Sequence, residues 1–327
     1  MSSGVYLAAY LAPLKPWLDR DDVTDIFINR PGEAWIETTS GAIFREAAPE
    51  LTETALGRLA RQIAGASHQG VNREQPLVSA SLPDGARVQI VGPPATRAGF
   101  AFAVRKHSLS DLSLVELAGL GALPSLKANR ESACDPELAA LIASGEVEAF
   151  LRLAVQKRQT IVISGGTSSG KTTLLNALIK EIDLRERLIL IEDAPEIRLA
   201  HDNAVGLIAT RGDAGEARVD AEDLLQASLR MRPDRILLGE LRGREAFTFL
   251  RAVNTGHPGS ITTVHADNPD RAIDQIALMS LLSGVDLGWN AIRDYIHQVI
   301  DVVVQLRRED GVRRVVDIRY MRQAAAH

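Results

Sequence analysis

The chain has 327 residues, a length that favours two domains over one. With 46% hydrophobic and 24% charged residues it has the balance of an ordinary soluble globular protein, and a net charge of −5 argues against free nucleic acid as its main partner. A single cysteine, Cys134, excludes an intrachain disulfide and a cysteine-based metal cluster; it reads as an incidental thiol in a reducing cytosol.

The N-terminal stretch MSSGVYLAAYLAPLKPW has a short apolar run without the basic lead-in of a secretory leader. It reads as a small helix packed on its own domain, with contact to a membrane surface or a partner as the alternative. No run approaches the ~18 consecutive apolar residues of a spanning helix. Residues 23–29 (VTDIFIN) alternate like a strand and stop at Arg30-Pro31-Gly32, a turn signal. A second strand at 34–38 turns at Ser40-Gly41 into a third at 42–45. From 52 to 66, apolar residues at helical spacing (Leu56, Leu59, Ile63) follow Thr52 and Glu53, which suit a helix start. Strands at 77–82 and 86–91 flank Pro83-Asp84-Gly85, and another follows at 101–105. Residues 1–105 are therefore expected to form an α+β domain of meander strands and one main helix.

Residues 106–150 read as a linker grading into helices, partly helical at 109–120, turn-rich at 121–129 and helical at 136–144, with a further helix over 147–156. From 158 onward strands and helices alternate. The strand-like runs fall at 160–164, 187–191, 204–209, 235–238 and 260–264, the pattern of a parallel sheet flanked by helices. A last helix begins near Ala291, followed by strands at 299–306 and 313–320 around Asp310-Gly311.

The strongest chemical signal lies in this second half. Ile161, Val162 and Ile163 read as a buried strand; Gly165, Gly166, Thr167, Ser168, Ser169, Gly170, Lys171 and Thr172 match G-x-x-x-x-G-K-[ST]; Thr173 and the apolar Leu174, Leu175 and Leu178 open a helix. A strand, a glycine-rich turn and a helix in that order cradle a polyphosphate, because backbone N–H groups converge at the helix N-terminus. Lys171 is expected to reach the β- and γ-phosphates and the Thr172 hydroxyl to ligate Mg2+, so ATP and Mg2+ are the expected ligands.

Hydrolysis also needs an acid and positive charge. The apolar strand LILIED (188–193) ends in Glu192 and Asp193, placed to touch Mg2+ through water or to polarise a water; a helix cap or a surface ion pair is the structural alternative. RILLGE (235–240) ends in Glu240, the best candidate for the carboxylate that positions the attacking water. His257 and His265 bracket a further strand; His265, on the same edge as Glu192 and Glu240, is the better γ-phosphate sensor, and the spacing does not suit zinc. Arg230, Arg232, Arg242 and Arg244 are candidates for completing a neighbour's site or pairing with acids.

In this order the segments GGTSSGKTT (165–173), ILIEDAPEI (189–197), RPDRILLGELRG (232–243) and GHPGSITTVHADNP (256–269) resemble the traffic ATPases of bacterial type II and type IV secretion. Gly239, where many such strands carry Asp, is itself a mark of that family. The N-terminal runs NREQPLVSASLPDGARVQIVGPPATR (72–97) and FAVRKHS (102–108) resemble the VirB-eleven type of type IV secretion. The resemblance implies a RecA-like P-loop NTPase domain at 151–327 beside a smaller α+β clamp domain. It also implies a homo-hexameric ring with nucleotide between the two domains, Glu240 as catalytic carboxylate, Glu192 and His265 as the acidic- and histidine-box residues, and Arg87 and Arg105 near the nucleotide. Ser168-Ser169 departs from the more usual Gly-Ser and is expected to stiffen the loop slightly. ATP is expected to clamp the N-terminal domain onto the C-terminal one, and phosphate release to let it swing. By the same resemblance the partners are other type IV secretion components at the inner membrane, with peripheral contact on its cytoplasmic face and nucleic acid met only as part of a secreted substrate. A DNA-translocating or DNA-unwinding ring, a pilus or type II assembly motor, and a non-hydrolysing scaffold are the alternatives.

Overall fold

A computed structural model describes residues 3–106, 113–115, 135–210 and 215–322. The expected helix at 109–120, the turns at 121–129 and Cys134 thus lie, almost entirely, outside the described residues. Six strands form one antiparallel sheet: β1 (Val23–Ile28), β2 (Gly32–Thr38), β3 (Ile43–Ala48), β4 (Leu77–Ser81), β5 (Arg87–Val91) and β6 (Ala101–Arg105), in the order β3-β2-β1-β6-β5-β4. Seven strands form the other: β7 (Ile161–Gly165), β8 (Leu188–Glu192), β9 (Ala204–Ile208), β10 (Arg235–Leu238), β11 (Ile261–Val264), β12 (Val302–Glu309) and β13 (Val312–Tyr320). Its order is β13-β12-β7-β11-β10-β8-β9, parallel except for the terminal β12–β13 hairpin. The expected strands are present within a few residues, the largest shift being β12, because the helix Trp289–Val299 runs on to the point where the strand was expected to begin.

The helix Glu53–Ala66 starts where Thr52 caps it, the threonine hydroxyl accepting from the Ala55 amide at 3.2 Å. Its buried stripe, Leu56, Leu59, Ala60 and Ile63, covers one face of the first sheet. The N-terminal helix Ser3–Leu11 packs against it, and Leu7, Leu14 and Trp17 are buried in the same core. Leu7, Leu14 and Trp17 are therefore spent on their own domain. Among the described residues no helix is long and apolar enough to cross a membrane.

Period two in the strands explains how the halves join. Ile26 and Ile28 of β1, with Phe102 and Val104 of β6, face the helix 53–66. Phe27, Ala101 and Ala103, between them, face the second sheet's core beside Val205 and Leu207. The central strands β1 and β6 are thus buried on both faces. The chain at 95–97 also closes the open edge of β9: Thr96 bridges Leu207, the Arg97 amide donates to the Gly206 carbonyl and the Ile208 amide to the Ala95 carbonyl, both at 3.0 Å.

A polar joint lies within this apolar contact. Arg187, wholly buried, has its guanidinium 4.0 Å from the Phe27 ring centre and donates to Asn29 Oδ1 (2.8 Å), Asn203 Oδ1 (2.5 Å) and the Met231 carbonyl (3.0 Å). Burial pushes this guanidinium down to about 9, against the pull of Asp234, Asp25 and Glu37, so it stays charged at neutral pH. Arg232 adds an ion pair to Glu37 at 2.8 Å.

Candidate active site

The loop after β7 owes its shape to two positive-φ residues. Gly170 (φ 98°) caps the helix Lys171–Ile179 and Ser168 (φ 60°) turns the chain before it. Left-handed residues inside a right-handed stretch turn successive amides to one side, the concavity that binds anions, and the first helical amides have no partner in their own helix. Gly165 is required for a different reason: a Cβ there would overlap the Ser169 hydroxyl and come within 2.9 Å of the Leu306 carbonyl. The Lys171 ammonium lies back on the loop, donating to the carbonyls of Gly165 (2.8 Å) and Gly166 (3.2 Å), with Glu240 at 3.8 Å. Burial holds this ammonium below its ordinary range; Glu240 pulls the other way and Arg242 adds to the lowering.

Because β7, β8, β10 and β11 are parallel, their C-terminal ends share one edge, where chemistry collects in such sheets. A cavity of about 510 Å3 there is lined by residues 167–173 together with Glu192, Asp193, Glu240, Arg242, Thr263, His265 and Arg313. The structure therefore brings together the loop, both expected carboxylates and the preferred histidine. Gly239 lets the ends of β10 and β8 approach: its amide donates to the Ile191 carbonyl at 2.8 Å, and a Cβ would sit 3.3 Å from that of Glu192. The Thr263 hydroxyl fixes the same turn by donating to the Gly239 carbonyl at 2.8 Å. Glu240, nearly buried, pairs with Arg242, which lies 3.9 Å from Asp193. His265 is exposed at the mouth. His257 is elsewhere, its Nδ1 at 2.9 Å from the Ala252 carbonyl at a helix end.

Glu192 is engaged on both oxygens. One accepts from the amides of Glu196 (3.0 Å) and Ile197 (3.1 Å), and the other is ion-paired with Arg97. Arg97 also donates to the Ile197 carbonyl at 2.8 Å, and Gly206 leaves it room, since a Cβ at 206 would lie 3.0 Å from its Cγ. In this arrangement Glu192 shapes the loop 193–197 and ties it to the N-terminal half. For a metal, Thr172 lies in the cavity, and no group of three or more His, Cys, Asp or Glu side chains stands ready among the described residues. That donor set fits Mg2+ held by one hydroxyl, substrate phosphates and water.

Arg87 and Arg105 are not in this cavity. They are cross-strand neighbours on β5 and β6 and line a second cavity of about 600 Å3 with Ser79, Gln89 and Arg230. Arg105 donates to Asp25 at 3.1 Å. The two cavities share no lining residue. Of the other arginines, Arg232 binds Glu37 and Arg244 binds Asp220 at 2.6 Å. Arg97 and Arg313 escaped the motif reading; the only local sign of Arg313 is its place at the start of the strand after Asp310-Gly311.

A family model described as "Type II/IV secretion system protein" matches residues 8–317. The type IV secretion system protein PtlH of Bordetella pertussis (strain Tohama I) is 42% identical over 320 residues, covering 95% of this chain and 94% of that protein. VirB11 of Brucella suis biovar 1 (strain 1330), also named a type IV secretion system protein, is 40% identical over 93% of this chain and 87% of its own length. The crystal structure of the VirB11 ATPase from the Brucella suis type IV secretion system, in complex with sulphate, superposes with a TM-score of 0.91 at 37% identity, covering 98% of this chain and 96% of that one.

Proposed function

Given that the chain belongs to the type II/IV secretion system protein family, we propose that it is a RecA-like P-loop ATPase that energises a bacterial type IV secretion system. The observation that carries this reading is the convergence of Lys171, Glu240 and His265 on one cavity around the glycine-rich loop. The loop amides and Lys171 hold the triphosphate of ATP, and the Thr172 hydroxyl would hold Mg2+, which would supply positive charge against that of the phosphates. The position of the Lys171 ammonium on the loop carbonyls is that of a group waiting for an anion. Once it turns to the phosphates, Glu240 is left with Arg242 and faces the cavity, able to orient a water at the γ-phosphorus. His265 at the mouth reads the γ-phosphate. Glu192 acts through the loop it fixes, as a positioning residue.

The protomers form a hexameric ring. Arg87, Arg105 and Arg230 line a cavity with three cations and lie away from the chain's own loop, so we assign them to a neighbouring protomer's nucleotide. Arg105 already meets Asp25, whereas Arg87, opposite it on β5, has no ion pair among the described residues and is the cation that an incoming anion would satisfy. The clamp then acts across the ring, and the buried Arg187 joint keeps each chain's two halves moving together. Work is delivered to other secretion components on the cytoplasmic face of the inner membrane, with nucleic acid met only within a secreted substrate.

Equilibrium binding and phosphate release test this directly. Lys171→Ala should lose ATP binding, and Glu240→Gln should bind ATP yet turn over about 100- to 1,000-fold more slowly. Normal hydrolysis by Lys171→Ala overturns the site, and normal turnover by Glu240→Gln moves the water-positioning role elsewhere. Sedimentation with a non-hydrolysable ATP analogue reads the ring, and stimulation of hydrolysis by added DNA would point to a DNA motor instead.

A further inference from the structure

The hairpin of β12 and β13 overhangs the glycine-rich loop. β12 pairs with β7 as far as Leu306 beside Gly165, then runs on past the strand end to Glu309. The turn at Asp310-Gly311 brings the chain back, and Arg313 comes down on the loop. Its Nε donates to the Ser168 carbonyl at 3.2 Å. Its stem lies over Gly170, where a Cβ would meet the Arg313 Cδ at 2.9 Å, so glycine at 170 serves the side chain as well as the turn. Arg313 is among the residues lining the 510 Å3 cavity.

Two features show that this charge is not spent on the fold. Among the described residues Arg313 has no ion-pair partner. It also stands directly opposite Arg308, itself without one, in the β12–β13 register. Two arginines facing each other across a ladder repel, and an anion beside them removes that penalty.

Topology says which part of the ligand Arg313 meets. β12 and β11 flank β7 on opposite sides. Lys171, Glu240 and His265 mark the γ-phosphate end on the β11 side, so the nucleoside end extends toward β12 and β13. We propose that Arg313 binds the α-phosphate of the nucleotide, making the C-terminal hairpin part of the binding site for ATP and ADP alike. This rests on the ATPase reading above and adds to it a residue that sets affinity without taking part in cleavage.

The test uses the full-length protein and equilibrium titration with MgATP and MgADP, with turnover measured in parallel. Arg313→Gln keeps most of the stem over Gly170 and removes the charge. It should weaken ATP and ADP equally, by about tenfold, the factor that about 1.4 kcal/mol produces. Arg313→Lys restores a cation and should recover most of the affinity. Unchanged ADP affinity in Arg313→Gln overturns the proposal. So does a loss confined to ATP, which places the group at the γ-phosphate, or a lysine variant as weak as the glutamine one. If the parent protein binds no nucleotide at all, the ATPase reading itself fails, an outcome distinct from every one of these.

Discussion

Arg187→Met probes the joint between the two halves. Methionine roughly matches the length of the arginine stem, but it removes the donors to Asn29 Oδ1 and to the Met231 carbonyl. Asn203 Oδ1 keeps a partner, since Asn29 Nδ2 donates to it at 3.0 Å. Two buried acceptors are left bare, each costing about 1–3 kcal/mol, and the contact with Phe27 at 4.0 Å is lost, about 2 kcal/mol for a desolvated cation–ring pair. Against this, the variant no longer buries a charge, which returns several kcal/mol. Nearby carboxylates are covered in part, Asp25 by Arg105 and Glu37 by Arg232. The net expectation is a loss of about 2–4 kcal/mol, or a fall in melting temperature of roughly 3–6 °C for 327 residues melting together. Calorimetry adds a second readout. Phe27, Ala101 and Ala103 share a core with the second sheet, so the parent should melt in one transition. The variant, with its joint weakened, should show the two halves melting apart. A variant that melts at the parent's temperature in a single transition would refute the idea that Arg187 fastens them.

Three further expectations follow from the site. Arg97→Ala and Glu192→Gln each break a largely buried ion pair, so in a denaturation cycle the double variant should lose less than the sum of the singles by about 1–3 kcal/mol; strict additivity would mean that the pair has no energetic coupling. ATP affinity should fall as pH rises through the depressed pKa of Lys171, because a base with a lowered pKa sheds its proton earlier than an ordinary lysine at 10.5. Binding measured against pH checks this, and an affinity that stays level up to 10.5 contradicts it. Ser168→Gly should raise stability by up to about 1 kcal/mol by relieving the left-handed backbone at φ 60°, less whatever freedom glycine returns to the unfolded chain; a loss of stability would show that the serine side chain holds the loop.

Much of the site was legible locally. The loop 165–172 announces itself because its glycines are needed within a few residues of one another, and Glu192, Glu240 and His265 follow apolar runs whose strand ends share an edge. The expected boundaries of β7, β8 and β10 agree within a residue, since short fully apolar runs have one plausible home in a parallel sheet. Arg97 was not legible, because nothing near it indicates the carboxylate it meets. Nor was the separation of Arg87 and Arg105 from the loop, since their residue types suit phosphate wherever they stand.

By itself the sequence determined which segments become strands and helices, and where a phosphate would lodge, because periodicity, capping and glycine placement act over a few residues. Only the tertiary structure decided that β1 and β6 would be buried on both faces, that Arg187 would lie beneath Phe27, that Glu192 would be held from the other half of the chain, and that a hairpin near the C-terminus would set Arg313 on the loop. Those contacts depend on how the sheets stack and on which strand lies beside which, and side-chain partners chosen that way leave no trace in the spacing of neighbouring residues.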